Sequence, residues 1–99
     1  LRQAASAPKK IADACCAVIE LAEGCAACGS RLVLSDAATA AALAGGALRG
    51  AVINVKVNTA LMRDREYAES LSAELEEKER EYAVRADAVC NAVAAALGF

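Results

Sequence analysis

The chain has 99 residues, 58% of them apolar, and its 11 basic and 13 acidic side chains leave a net charge of −2. That length bounds it at one domain, and so balanced a charge gives no electrostatic footprint for nucleic acid or an anionic membrane. Much of the apolar content is alanine, with two Tyr, one Phe and no Trp, so the composition predicts an all-α chain with no sheet. No segment reads as both long and bulky enough for a membrane span, and the first residues lack a signal-peptide pattern. A cytoplasmic protein is the expectation.

The first helix is predicted from about Ala7 to Cys28, with Ser6 as N-cap and Pro8 in the first turn. Ile11, Cys15, Val18, Ala22 and Cys25 recur at spacings of 4, 3, 4 and 3, which is the pattern of a bundle seam. Gly29 supplies a C-terminal stop. Residues Gly29 to Leu34 then form a short connection that sets the next helix antiparallel. Four of the five cysteines, Cys15, Cys16, Cys25 and Cys28, fall in this helix, with Cys90 far away. Cys25-Ala-Ala-Cys28 has the spacing of half a zinc site or of a redox pair. The chain holds no second such pair and no histidine, so the cysteines read as reduced, metal-free and buried small hydrophobes.

The second helix is expected from Asp36 to about Met62, with Ser35 as cap and Asp36 in the first turn, where the helix dipole favours an anion. Its Ala- and Gly-rich run has little bulk, and Gly46 and Gly50, one turn apart, read as places of close helix packing. Asn54 and Asn58 are four residues apart and share a face. On an apolar helix their amides need partners, either across helices or in a ligand.

Asp64 offers an N-cap for a third helix from Arg65 to about Leu97, with a buried stripe at Tyr67, Leu71, Leu75, Tyr82, Val89, Val93 and Leu97. Glu74–Lys78, Glu76–Arg80 and Glu81–Arg85 are i,i+4 pairs with the acid first, so the run from Glu74 to Arg85 reads as a solvated, salt-bridged face. Three such helices are long and narrow. The expected architecture is a bundle of long antiparallel helices, completed by a missing half-domain or by another subunit. Val89 and Val93 are the contact residues expected in a two-fold pairing.

Several short elements occur in order: Pro8 with Ile11-Ala12, then Glu20-Leu21-Ala22, Gly29, Ser35-Asp36-Ala37, Ala47-Leu48-Arg49-Gly50-Ala51, Asn54-Val55-x-Val57-Asn58 and Asp64. The set resembles the later half of the cyclodeaminase domain of the formiminotransferase-cyclodeaminase family, which also includes methenyltetrahydrofolate cyclohydrolases. The family's earlier Pro- and Gly-rich helix-entry motif is absent from these residues. Ser30 stands where the family usually has Asn, and Ala38 where it has Gly.

The resemblance implies an all-helical, dimeric, cytosolic folate enzyme that uses no metal or other cofactor, with a formiminotransferase domain as a candidate neighbour. Its reactions are closure of 5-formiminotetrahydrofolate to 5,10-methenyltetrahydrofolate with release of ammonia, or interconversion of 5,10-methenyl- and 10-formyltetrahydrofolate. In ring closure N10 loses a proton as it attacks the formimino carbon, and the departing amine gains one. A nearby carboxylate can carry that proton.

Asp36 is the catalytic candidate. Its alternatives are pairing with the pterin amide and amino groups, or capping a helix. Ser35 is a cap rather than a nucleophile, because no histidine exists to activate it. With Ser35, the substrate-binding candidates are Asn54 and Asn58, toward a pterin or the formyl-level carbon, and Arg49, toward the glutamate carboxylates of folate. A noncatalytic helical interaction module that keeps the family scaffold is the alternative to an enzyme.

Overall fold

The computed structural model describes residues 2–99, which form three helices and, among the described residues, no strand. They are α1 (Arg2–Cys28), α2 (Arg31–Leu61) and α3 (Arg65–Leu97). Ion pairs fix their directions. Lys9 meets Glu74, Lys78 meets Asp13 and Arg85 meets Glu23, so α1 and α3 run parallel. Lys56 of α2 reaches Glu76, and Cys90 reaches the carbonyl of Ala38, so α2 runs antiparallel to both. The result is a rod of 51 × 18 × 16 Å, one helix long and roughly two helices wide.

The core is slender and largely alanine. Its fully buried large side chains are Ile19, Leu48, Leu75, Val52 and Val55. Around them α1 contributes Ala5, Ala12, Cys15, Cys16 and Ala22, and α3 contributes Ala68, Leu71, Ala86, Val89 and Val93. Alanine brings helix axes close, so α1 and α2 lie tightly side by side, and α3 closes the groove between them.

Two helix starts differ from the sequence expectation. Helix α1 begins at Arg2 and carries Pro8 inside it. Burial of Ala5 and Ala12 holds the added turn, as does Arg2, which pairs with Asp64 at 2.6 Å and stacks on the Tyr67 ring. The missing proline N–H is offset by packing. Helix α2 begins at Arg31 with Ser30 at its N-cap, so the connection is only Gly29-Ser30. Ser35 is therefore not a cap, and Asp36 lies beyond the first turn, which removes capping from its possible roles. Asp64 caps α3 as expected, its carboxylate accepting from the Tyr67 N–H at 3.0 Å. Gly98 ends that helix with φ 82°.

Gly29 works by space and not by handedness, because its φ is not positive. A Cβ there would lie 2.7 Å from the Cys25 carbonyl oxygen and 2.7 Å from Val33 Cγ1. Gly29→Ala is expected to cost about 1–3 kcal/mol by forcing the α1–α2 turn open, read as a lower urea midpoint at unchanged slope.

The seam expected on α1 splits between two faces. Cys15 and Ala22 point inward, whereas Ile11, Val18 and Cys25 are exposed. The buried row instead follows Ala5, Ala12, Cys16 and Ile19. Val89 and Val93 are 5% and 3% exposed inside this chain, so they are core residues and no dimer contact. The α3 stripe is otherwise as expected, with Leu71 and Leu75 buried and Tyr67, Tyr82 and Leu97 packed against the core.

The charged run of α3 does more than face water. Lys78–Glu74 and Arg85–Glu81 form as i,i+4 pairs. Arg80 pairs with Glu77 rather than Glu76, and Glu76 takes Lys56 at 3.1 Å. Arg85 grips Glu23 through two hydrogen bonds of 2.6 and 2.9 Å, and Tyr82 donates to Glu20. These bonds sew α3 to α1.

The cysteines divide likewise. Cys15 and Cys16 are buried, and that burial pushes both thiols up. Cys25 and Cys28 are exposed, contrary to expectation, and Cys28 donates to the Gly24 carbonyl. Native alkylation is expected to label Cys28 while sparing Cys15 and Cys16 until the chain unfolds, as mass spectrometry of iodoacetamide-treated peptides would show.

Candidate functional site

Every candidate residue sits on α2. At 3.6 residues per turn, its buried row runs Ala37, Ala41, Ala44, Leu48, Ala51, Val52, Val55 and Thr59. The opposite side carries a second row: Leu32, Asp36, Thr39, Leu43, Gly46, Gly50, Ile53, Val57 and Leu61. Leu32, Leu43 and Leu61 on it are 82%, 71% and 66% exposed. So α2 is apolar on two sides, and only one is covered within the chain.

The glycines follow that division. A Cβ on Gly45 would lie 3.2 Å from the Ala86 Cβ, whereas one on Gly46 or Gly50 would meet nothing within 4 Å. The close internal approach therefore belongs to Gly45, and the expectation of close packing at Gly46 and Gly50 fails within the chain.

Ser35 and Asp36 are exposed at the Arg31 end of the outward row. The Ser35 carbonyl accepts from Thr39 Oγ1 at 3.0 Å. The Asp36 carboxylate makes no hydrogen bond or ion pair among the described residues. Asn54 Nδ2 donates to the Gly50 carbonyl at 3.0 Å and Asn58 Nδ2 to the Asn54 carbonyl at 2.9 Å. Both amides thus bond back onto their own helix instead of across helices, and neither Oδ1 accepts a hydrogen bond among the described residues. Asp36, Asn54 and Asn58 lie along the edge of the outward row nearer α1.

Arg49 lies on the other edge. It lines a shallow groove between α2 and α3 with Gly45, Gly46, Ala86, Asp87 and Cys90. The separation along the axis is also large. Asp36 and Asn54 are about 27 Å apart, and Asp36 and Asn58 about 33 Å, at 1.5 Å per residue. The structure places the five residues on one helix and does not bring them together within one chain.

Sequence reasoning missed a groove of about 370 Å³ where α2 meets α3, with Lys56, Thr59, Arg65, Glu69, Ser72 and Glu76 standing around an alanine-lined floor. Three of its charges are spent internally. Lys56 pairs with Glu76, and Arg65 donates to the Thr59 and Met62 carbonyls at 2.7 and 3.1 Å, tying off the end of α2. No cluster of three metal-ligating side chains occurs among the described residues.

Helix α2 has the length and mean hydropathy, 1.3 over its best 18-residue window, of a membrane span, whereas the sequence was read as holding no segment both long and bulky enough for one. A core helix of a soluble bundle meets the same criterion, and the inner side of α2 packs against α1 and α3.

The model of the formiminotransferase-cyclodeaminase family matches residues 1–77, which take in α1, α2 and the first part of α3. The chain belongs to the formiminotransferase-cyclodeaminase family. A methenyltetrahydrofolate cyclohydrolase of Methylorubrum extorquens is similar to it, 41% identical over 76 residues. That stretch is 77% of this chain and 36% of the relative, so the chain spans well under half the length of that protein. No solved structure matches the chain significantly. The matched residues contain the whole outward row of α2, and the family resemblance noted in the sequence holds at the level of the family.

Proposed function

We propose that this chain forms the helical wall of a folate one-carbon site of the methenyltetrahydrofolate cyclohydrolase type, with the cyclodeaminase reaction as its close chemical alternative. The observation that carries the reading is the match to the cyclohydrolase across the outward row of α2, which otherwise has no role in this fold.

The chemistry asked of the site is modest. In hydrolysis, water adds to the methenyl carbon and the bond from that carbon to N5 breaks. N5 keeps the electron pair and takes one proton of the water, and the other proton leaves to solvent. In cyclodeamination N10 attacks the formimino carbon and loses its proton as ammonia departs. Either course needs a group that accepts and returns a proton beside the reacting carbon. Asp36 suits that task because it is unpaired and exposed, as no buried counter-ion fixes its charge. The unbonded Oδ1 atoms of Asn54 and Asn58 suit the N–H groups of a reduced pterin. Arg49, on the other edge, suits a glutamate carboxylate at the far end of the ligand. The proposed setting is cytoplasmic, with no metal or organic cofactor.

Calorimetric titration with 5-formyltetrahydrofolate tests the reading. Saturable binding that weakens on Asn54→Ala supports it. No heat of binding, with the helical circular dichroism intact, counts against it.

A further inference from the structure

Burial, the ground for reading Cys25-Ala-Ala-Cys28 as inert, does not hold for that pair. Cys25 and Cys28 are exposed on the last turn of α1, whereas Cys15 and Cys16 are buried and Cys90 is half-buried. Residues three apart on a helix are neighbours on one face. On a helix of ideal radius and rise their Cα atoms stand about 5 Å apart, inside the roughly 4.4–6.8 Å that a disulfide spans. The Cys28 thiol donates to the Gly24 carbonyl at 3.1 Å, which leans its sulfur back over the turn that carries Cys25.

We propose that Cys25 and Cys28 form a reversible redox pair, closing to a disulfide within α1 by exchange with a low-molecular-weight disulfide of the glutathione class.

The exchange balances in two steps. One cysteine of the pair attacks the small disulfide as its thiolate, bonds to one sulfur and releases the other as a thiolate. The second cysteine, also as its thiolate, attacks the protein sulfur of that mixed disulfide, and the second small thiolate leaves. The pair gives up two electrons and two protons, and the small disulfide takes them up as two thiols.

Position at the helix end makes the closure possible. Cβ atoms one turn apart on a helix stand about 5–6 Å apart, whereas a disulfide holds them at roughly 3.5–4.5 Å. The turn must therefore tighten by about 1–2 Å. In mid-helix such a movement would drag the following turn with it. Cys28 is the last residue of α1, and the carbonyls of a last turn have no helical N–H to lose.

The other cysteines do not compete. Cys15 and Cys16 lie in the core, and burial pushes both thiols up. Cys90 donates to the Ala38 carbonyl at 3.5 Å, between α2 and α3. Nor does the pair build a zinc site with its surroundings. Structural zinc takes four ligands, and no cluster of three metal-ligating side chains occurs among the described residues. In the cytoplasmic setting proposed above the pair rests as a dithiol, and disulfides that form there are usually transient, catalytic or redox-sensing.

The test equilibrates the chain in glutathione buffers of rising disulfide content, quenches with acid, then unfolds and alkylates it with iodoacetamide. Digestion with trypsin and Glu-C frees Gly24–Arg31, which holds Cys25 and Cys28 and no other cysteine. In oxidising buffer this peptide is expected to lose both alkyl groups and to weigh two hydrogens less than the dithiol. Dithiothreitol is expected to restore both alkyl groups, while Cys15 and Cys16 stay alkylated throughout. Two alkyl groups on the peptide at every buffer ratio overturn the proposal, as do chains joined to one another through Cys25 or Cys28. Cys28→Ser is expected to stop at glutathione held on Cys25, and closure of Cys25 onto another cysteine overturns the pairing. Phenylarsine oxide, which bridges two thiols with loss of one water, is expected to protect both cysteines of the folded chain from alkylation. No protection overturns the adjacency of the two sulfurs.

Discussion

Asp36→Asn is expected to lower turnover of a methenyltetrahydrofolate substrate by on the order of 100-fold or more while leaving the fold intact. The carboxylate is exposed and has no partner among the described residues, so its loss breaks no internal bond. Asn and Asp have nearly equal helix propensity, and an exposed substitution of this kind shifts stability by no more than about 0.5 kcal/mol. A fall in kcat at unchanged KM identifies Asp36 as the proton carrier. A rise in KM at unchanged kcat identifies it as an anchor for the pterin. Kinetics indistinguishable from wild type remove it from the site.

Leu48→Ala is expected to be the most damaging single truncation, costing about 2–5 kcal/mol. Leu48 is 0% exposed and lies near the middle of α2, the helix packed by both others. Much of the core around it is alanine, which has no rotamers with which to fill a cavity. Domains of this size have only about 5–15 kcal/mol in total, so the variant sits close to unfolding at room temperature. Urea denaturation followed by circular dichroism measures the loss. Leu43→Ala is the control, since the same truncation on the outward row leaves the stability of the single chain within about 0.5 kcal/mol. Equal effects at the two positions would mean that the inward and outward sides of α2 have been confused.

The helix count, the all-α class, the break after Arg63 and the stripe of α3 were legible because α3 is amphipathic in the ordinary way, with one apolar side and one charged. Helices α1 and α2 were harder to read, since each is apolar on two sides. On α1 the bulky residues Ile11 and Val18 drew the seam outward, whereas the true inner row is carried by Ala5, Ala12 and Ile19. Where helices pack closely, alanine marks the contact and bulk marks the surface left over, which reverses the usual reading. Val89 and Val93 are buried as the α3 stripe predicts, and their burial inside the chain takes them out of the expected subunit contact.

Helix ends were misread where tertiary contacts outweighed local signals. Arg2 and Ala5 carried α1 past Pro8, and Ser30 took the place of Ser35 at the start of α2. The sequence supplies candidate residues by type and spacing, and the family of the chain is shown. Their separation along one straight helix could not be read, because spacing at helical period says that residues share a face and nothing about distance along it.

The folate reading meets its most direct test in the disappearance of 5,10-methenyltetrahydrofolate, followed by absorbance, with the chain at a concentration where it is assembled. The account predicts a rate that saturates with substrate, exceeds the buffer reaction, and falls with Asp36→Asn. A rate equal to buffer at every substrate concentration, from a chain that is folded and dimeric, would contradict it.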